Sequence, residues 1–368
     1  MALFAPPLFS ALMAWSEDHL VYTKKRILQS GGSHYRRVLS LIRLPPTYGR
    51  PLPQAEADTL LATLWSLSSK DFFSAAPVER LASHLQMLAR YLTDNPVAFS
   101  NLGPVGLRLA VWLCCLGNRT AMSSFNLVLP RSLISLFKSQ PNFVDNLRKL
   151  APTFHSKFTC SVLLDRVLSL ISASQQRAMT VGLPRGETAR EEWLDLTVEA
   201  LLIKQQLNDL YEELAGPLER LEQLGAGLSQ AVTGTEAEEY NIRFVAMHYH
   251  AAVIMYERFV DPSSTGDIEK SQKSARAILN STFVLSRSAT SDWGKASAIL
   301  PMPLFISAIE IKDHILSDWA LRLFQEAGAV AVQFHRTANL LKKALELQSK
   351  LGKRIDLKDL LGREDFVV

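Results

Sequence analysis

Few residues in this 368-residue chain stand in spacings that support chemistry. His248 and His250 are two positions apart, which on a helix turns them toward different sides, whereas two histidines sharing a zinc ion on one helix stand four apart. They are expected to be a core or boundary pair. Cys114, Cys115 and Cys160 form no CxxC spacing and so offer neither a structural zinc site nor a redox dithiol. Two of them sit inside the apolar run Leu113-Cys114-Cys115-Leu116, as reduced thiols of an intracellular protein would. No serine lies in a GxSxG elbow, and no glycine-rich loop ends in GK[ST]. Cys160 lies near His155, but a catalytic dyad is a matter of fold rather than of sequence proximity.

The strongest acidic arrangement is Glu191-Glu192-Trp193-Leu194-Asp195 followed by Asn208-Asp209. Terpenoid-synthase chemistry needs two such motifs on facing helices to hold magnesium and diphosphate. Here both fall on one expected helix, about 26 Å apart at the standard rise, so they cannot face each other across a pocket. They read as a solvated face. The sequence therefore assigns no catalytic, cofactor-binding or metal-ligating residue, and no cofactor is expected.

The elements around these residues are helical. Thr188 with Glu191 has the capping-box pattern, in which the threonine oxygen accepts from a free amide and the glutamate reaches back. Behind it Trp193, Leu196, Ala200, Ile203, Leu207, Leu210 and Leu214 recur at steps of three and four, one stripe of a helix. Gly216-Pro217 is expected to break or kink it. The spacing resumes at Leu221, Leu224 and Leu228, which we read as a second core helix rather than as a continuous dimerisation seam. Thr235 with Glu238 opens a segment from Tyr240 to Val260 that is apolar nearly all round, as a helix at the centre of an array would be. Asp261-Pro262 and Ser263-Ser264-Thr265-Gly266 end it.

Pro301 and Pro303 sit where helix starts tolerate proline, with Leu304, Ala308, Ile311 and Ile315 following at helical spacing. Phe334, Ala338, Leu341 and Leu345 define a last face that stops at Lys350 and Gly352. Upstream, helices are expected over Gln54–Ser68, Pro77–Tyr91, Val105–Leu116 and Ser156–Ile171, with a proline-rich loop from Pro45 to Pro53. Alternating patterns are short and scattered. The fold class expected is all-α, an irregular multi-helix array forming a single helical domain over 1–368, with 181–187 as the place where two lobes would meet.

A chain that is 48% hydrophobic can bury a substantial core, and no apolar run approaches the length of a membrane span. Its start, Met1-Ala2-Leu3-Phe4-Ala5-Pro6-Pro7, lacks the basic residues of a secretory signal. The net charge of +4 is too small and too spread to imply nucleic-acid binding. Lys24-Lys25-Arg26 followed by Arg36-Arg37 has the layout of a two-part nuclear import signal, but solvated helix faces produce the same run.

The block Pro303-Leu304-Phe305-Ile306, then Glu310, Asp313 and Trp319, resembles the fungal-specific transcription factor domain, the regulatory region of fungal zinc-cluster transcription factors. The likeness is best from 188 to 362. Met247–Pro262 is similar to that family's alanine-rich buried helix, and Gln348 with Gly352-Lys353-Arg354-Ile355-Asp356 to its ending. One departure is Ser317-Asp318 before Trp319, where family members commonly place a basic residue. The family reads DNA through a six-cysteine module, and this chain has three cysteines. The resemblance thus implies a nuclear, non-enzymatic regulator of fungal metabolic or secondary-metabolite genes. It would act through protein partners, a DNA-binding transcription factor or itself, with no DNA binding by this chain alone and no membrane association. Pro303, Leu304, Phe305 and Trp319 would anchor packing, while Glu310 and Asp313 would cap helices or pair with basic groups near the C-terminus. The competing expectations are a soluble all-α enzyme or small-molecule-binding protein, with its pocket beside Met247–Met255, and a cytoplasmic scaffold.

Overall fold

The structure, a computed structural model, describes residues 5–24, 33–42, 49–123, 133–180, 187–225, 236–259, 268–288, 296, 299–355 and 360. Among them there are fourteen helices and no strand, so the all-α class expected from the sequence is the class observed. No helix of the described residues is long and apolar enough to cross a membrane. The chain forms two compact units. Unit 1 comprises Met1–His155, Ser291–Ala296 and Leu321–Val368, and unit 2 comprises Ser156–Thr290 and Ser297–Ala320. Residues 181–186, the suggested meeting point of two lobes, lie outside the described residues.

Unit 1 opens with α1 (Pro6–Lys24) and α2 (Ser33–Leu41), followed by α3 (Gln54–Phe73), α4 (Val78–Asp94) and α5 (Pro104–Ser123). Then come α6 (Leu133–Lys138) and α7 (Phe143–Leu150). On α4, Leu81, Leu85, Leu88 and Leu92 are buried at steps of four, three and four, the stripe that its leucine spacing dictates. α3 is different, because beside its leucines it buries Asp58, Ser66, Ser68, Ser69, Lys70 and Asp71. Polar groups inside a fold need partners, so α3 is where function-bearing side chains would be sought.

One such group fixes α5. Asp58 lies against its first turn, so closely that a Cβ on Gly106 would stand 2.1 Å from Oδ1. Burial pushes the Asp58 carboxyl up, while the amides of Gly103 and Gly106 and the Gln54 side chain oppose it. The arrangement places a carboxylate at the amide-rich end of a helix, where the dipole favours it.

Unit 2 begins within α8 (Pro152–Thr180) and continues through α9 (Glu187–Gly225), α10 (Glu236–Phe259), α11 (Ile268–Ser288) and α12 (Pro301–Glu310). α13 (His314–Ala327) carries the chain back to unit 1, which α14 (Val332–Leu351) completes. α10 is buried on nearly every side from Phe244 to Glu257, as its apolar composition predicts. Met247–Met255, where a pocket was expected, is packed into this core, with His250 half-buried.

Several sequence expectations need correction. α9 starts at Glu187, so Thr188 is inside the helix rather than ahead of it. The helix also runs unbroken through Gly216-Pro217. A proline removes one rung of the hydrogen-bond ladder and can bend a helix without ending it, and the rungs on either side carry α9 across. Ile203, Leu207, Leu210 and Leu214 of the expected stripe are buried, whereas Leu196 and Ala200 are half-buried. Thr235, the cap proposed for α10, and Leu228 lie outside the described residues. α12 stops at Glu310 because Ile311 turns extended (φ −69°, ψ 134°), so Ile311 and Ile315 are not part of one face with Leu304, and Ile315 is 76% exposed. Near the C-terminus, α14 ends at Gly352, whose φ of +62° is the left-handed conformation that closes a helix.

Candidate functional site

The block from Pro303 to Trp319 singled out in the sequence lies in unit 2. All ten residues of α12 are buried, Leu304 and Phe305 completely, and Pro301 and Pro303 occupy the first turn, where a missing amide costs nothing. Glu310 closes the helix with its side chain sealed from solvent, and Arg258, at the end of α10, reaches it with Nη1–Oε2 at 2.8 Å. An ion pair removed from water holds only when both partners are well satisfied. The same point receives a side-chain amide: Gln272 of α11 donates through Nε2 to the Glu310 carbonyl and accepts at Oε1 from the Lys312 amide at 3.1 Å. One glutamine thus bridges the break between α12 and the turn that follows.

Asp313 is the cap of α13. Its Oδ1 accepts from the Ile315 amide at 2.9 Å, the reach of a side chain at the position before a helix. Trp319 packs edge-on against Phe283 of α11, ring centres 5.9 Å apart. The structure therefore brings Leu304, Phe305, Glu310, Asp313 and Trp319 together as packing, pairing and capping groups. The basic partner of Glu310 comes from α10, whereas the sequence reading looked for it near the C-terminus.

A second polar cluster, which the sequence reading missed, lies in unit 1 around Asp71. Its carboxylate is buried and accepts from Arg80 Nη2 at 2.7 Å and from Lys70 Nζ at 3.3 Å on Oδ1. His84 Nε2 stands 3.0 Å from Oδ2, and Tyr35 Oη is 3.0 Å from the same nitrogen. Lys70 extends further to Asp18, Nζ–Oδ2 2.7 Å. Burial alone would push the Asp71 carboxyl up, but His84, Lys70 and Arg80 outweigh it and hold it below the usual carboxylate value. Burial, reinforced by Asp71, pushes the Tyr35 hydroxyl up to about 12. With both carboxylate oxygens engaged and the tyrosine held protonated, the cluster fixes charge in place. The one local signal was Arg80 and His84, four apart on α4 and so on one face.

Beside this cluster is a small depression of about 40 Å³, lined by Trp15, Asp18, Tyr22, Lys70 and Phe73 among others. Trp15 and Phe73 stack with ring centres 5.7 Å apart. Tyr22 donates from its hydroxyl to the Gly328 carbonyl, closing one side.

His248 and His250 take separate partners. Nδ1 of His248 meets the Phe244 carbonyl at 2.8 Å, and Nδ1 of His250 meets Ser274 Oγ at 3.3 Å. Burial, with a contribution from Lys273, pushes His250 down to about 4, so its imidazole is neutral at physiological pH. All three cysteines are buried thiols. Among the described residues no group of three His, Cys, Asp or Glu side chains is placed to hold a metal ion. Searches of family models, of curated proteins and of solved structures found no match to the chain.

Proposed function

We propose that this protein is a helical transcription-regulatory protein that works through protein contacts and has no enzymatic activity. It would act in the nucleus on fungal metabolic or secondary-metabolite genes, beside a partner that reads the DNA. The observation that supports the reading is the use made of the block from Pro303 to Trp319: Leu304, Phe305, Glu310 and Trp319 pack or pair within unit 2, and Asp313 caps α13. A domain whose motif is structural works by what its outer surface contacts. The test tethers the full chain to an unrelated DNA-binding module at a reporter gene. A change in transcription over the module alone is expected, and an unchanged reporter refutes the proposal. Sequence-specific binding of duplex DNA by the purified chain would refute the partner-dependent form.

A further inference from the structure

We propose that the outward face of α9 is a docking surface for a partner protein's basic amphipathic helix, one whose apolar stripe is flanked by Lys and Arg. This rests on the protein-contact reading above and names the partner's chemistry.

The inner face of α9 is already used. Ile203, Leu207, Leu210 and Leu214 are buried, Tyr256 donates to the Ala200 carbonyl at 2.9 Å, and Arg166 of α8 holds Glu199 at 2.6 Å and also donates to Gln206. The helix is therefore fastened from Glu199 to Leu214. On the opposite side Leu194 is 63% exposed, Val198 47%, Leu201 61% and Leu202 49%. These positions follow the i, i+4, i+7, i+8 rule of an apolar helical stripe, here turned outward over two turns. Four large apolar side chains clustered on one helix face are what a helix-in-groove partner reads.

Charge decides the occupant. α9 carries ten acidic residues against three basic ones, although the whole chain is +4. Asp195 borders the stripe, and Asp209 and Glu212 continue its line beyond Leu202; all three are exposed, while Lys204 at its edge is half-buried. A second copy of α9 laid along the first would set one strongly acidic helix on another, and like charges across a contact oppose it. A basic helix gains on both counts, with apolar burial at the centre and opposite charges at the rim.

The test uses three synthetic peptides of about 20 residues, long enough to form a helix on binding. One has a leucine stripe flanked by lysines, one the same stripe flanked by glutamates, and one the lysine composition with the stripe scrambled. Each is titrated with the full chain by fluorescence anisotropy. The lysine-flanked peptide is expected to bind, to weaken as salt rises, and to weaken at least about tenfold with the Leu194→Ser, Leu201→Ser variant, which removes two central anchors. An Asp209→Lys, Glu212→Lys variant should lose that peptide and gain the glutamate-flanked one, a swap that misfolding would not produce. No binding, equal binding of the scrambled peptide, or full retention by the serine variant overturns the proposal. So does a wild-type dimer in sedimentation that the serine variant lacks, which would make the face a self-interface. The tethered reporter separates the two claims. If the serine variant regulates as wild type does, docking falls and regulation stands. If the face binds the peptide but the tethered chain is silent, regulation falls and docking stands.

Discussion

The pairing of Arg258 with Glu310 can be broken from either side, with different consequences. Both side chains are withdrawn from water, and the carboxylate wholly so. Glu310→Ala leaves a guanidinium buried beside α12 with its counter-charge gone, and removing one member of such a pair costs about 3 to 5 kcal/mol. Glu310→Gln keeps an acceptor and should cost less, because a neutral hydrogen bond replaces a charge-assisted one. The double variant Arg258→Met, Glu310→Leu removes both charges and fills most of the volume, so it should recover much of the loss. Because the chain forms two units, the measurement is amide hydrogen exchange in α10, α11 and α12, which reports the opening of unit 2 directly. Exchange in those helices should accelerate by two orders of magnitude or more in Glu310→Ala, about 1.4 kcal/mol per tenfold, and return toward wild type in the double variant. A change of less than about tenfold in Glu310→Ala, or a double variant worse than either single one, would refute the argument that this pair clips α12 in place.

Four further outcomes follow from the same geometry. Asp71 titrates below its ordinary 3.8, so its stabilisation is present above that pH and is lost as pH falls through the lower folded value. Asp71→Asn should therefore lower stability at neutral pH and flatten the acid limb of a urea-denaturation series. His250 works with the same sign in a higher pH window. With its folded value near 4 and its ordinary value 6.5, the unfolded chain takes up the proton first as pH drops, so stability should fall by at most about 1.4 kcal/mol per pH unit on going down from 6.5 to 4, and His250→Gln should remove that slope. Gly106→Ala would put a methyl 2.1 Å from Asp58 Oδ1, and an overpacked contact of that kind should cost about 1 to 3 kcal/mol in thermal unfolding. Phe305→Ala should cost about 3 to 5 kcal/mol while Ile315→Ser stays within about 0.5, a contrast that a single continuous helix through both residues would not give.

Local periodicity carried the class and most helix positions. The expected segments Gln54–Ser68, Pro77–Tyr91, Val105–Leu116 and Ser156–Ile171 are the cores of α3, α4, α5 and α8, each running further at one or both ends. α11, with Lys270, Ser271, Lys273 and Ser274 in its first half, was missed because its apolar stripe is diluted by polar residues. The site was less legible, for a physical reason. Arg258 and Glu310 are 52 positions apart, and the Asp71 cluster draws Tyr35 and Asp18 from different helices. Charge pairs at such separations leave no periodic trace. Ile315 shows the converse: its spacing from Leu304 fits a helix, but Ile311 turns the backbone and Asp313 starts a new helix with a new face.

Unit 1 is discontinuous in the chain, and this matters for its synthesis. Phe73, at the end of α3, meets Phe334 of α14 at a centre distance of 6.2 Å, and Arg336 of the same helix donates to the Ala75 carbonyl at 3.1 Å. During translation α1 to α7 emerge long before α14 does, so the side of Phe73 that meets Phe334 waits open while all of unit 2 is made. A nascent chain stalled before residue 332 would present that apolar side to chaperones and proteases, and a fragment ending at His155 would aggregate more readily than the full chain. Completion of unit 1 therefore waits for α14, which is made after all of unit 2.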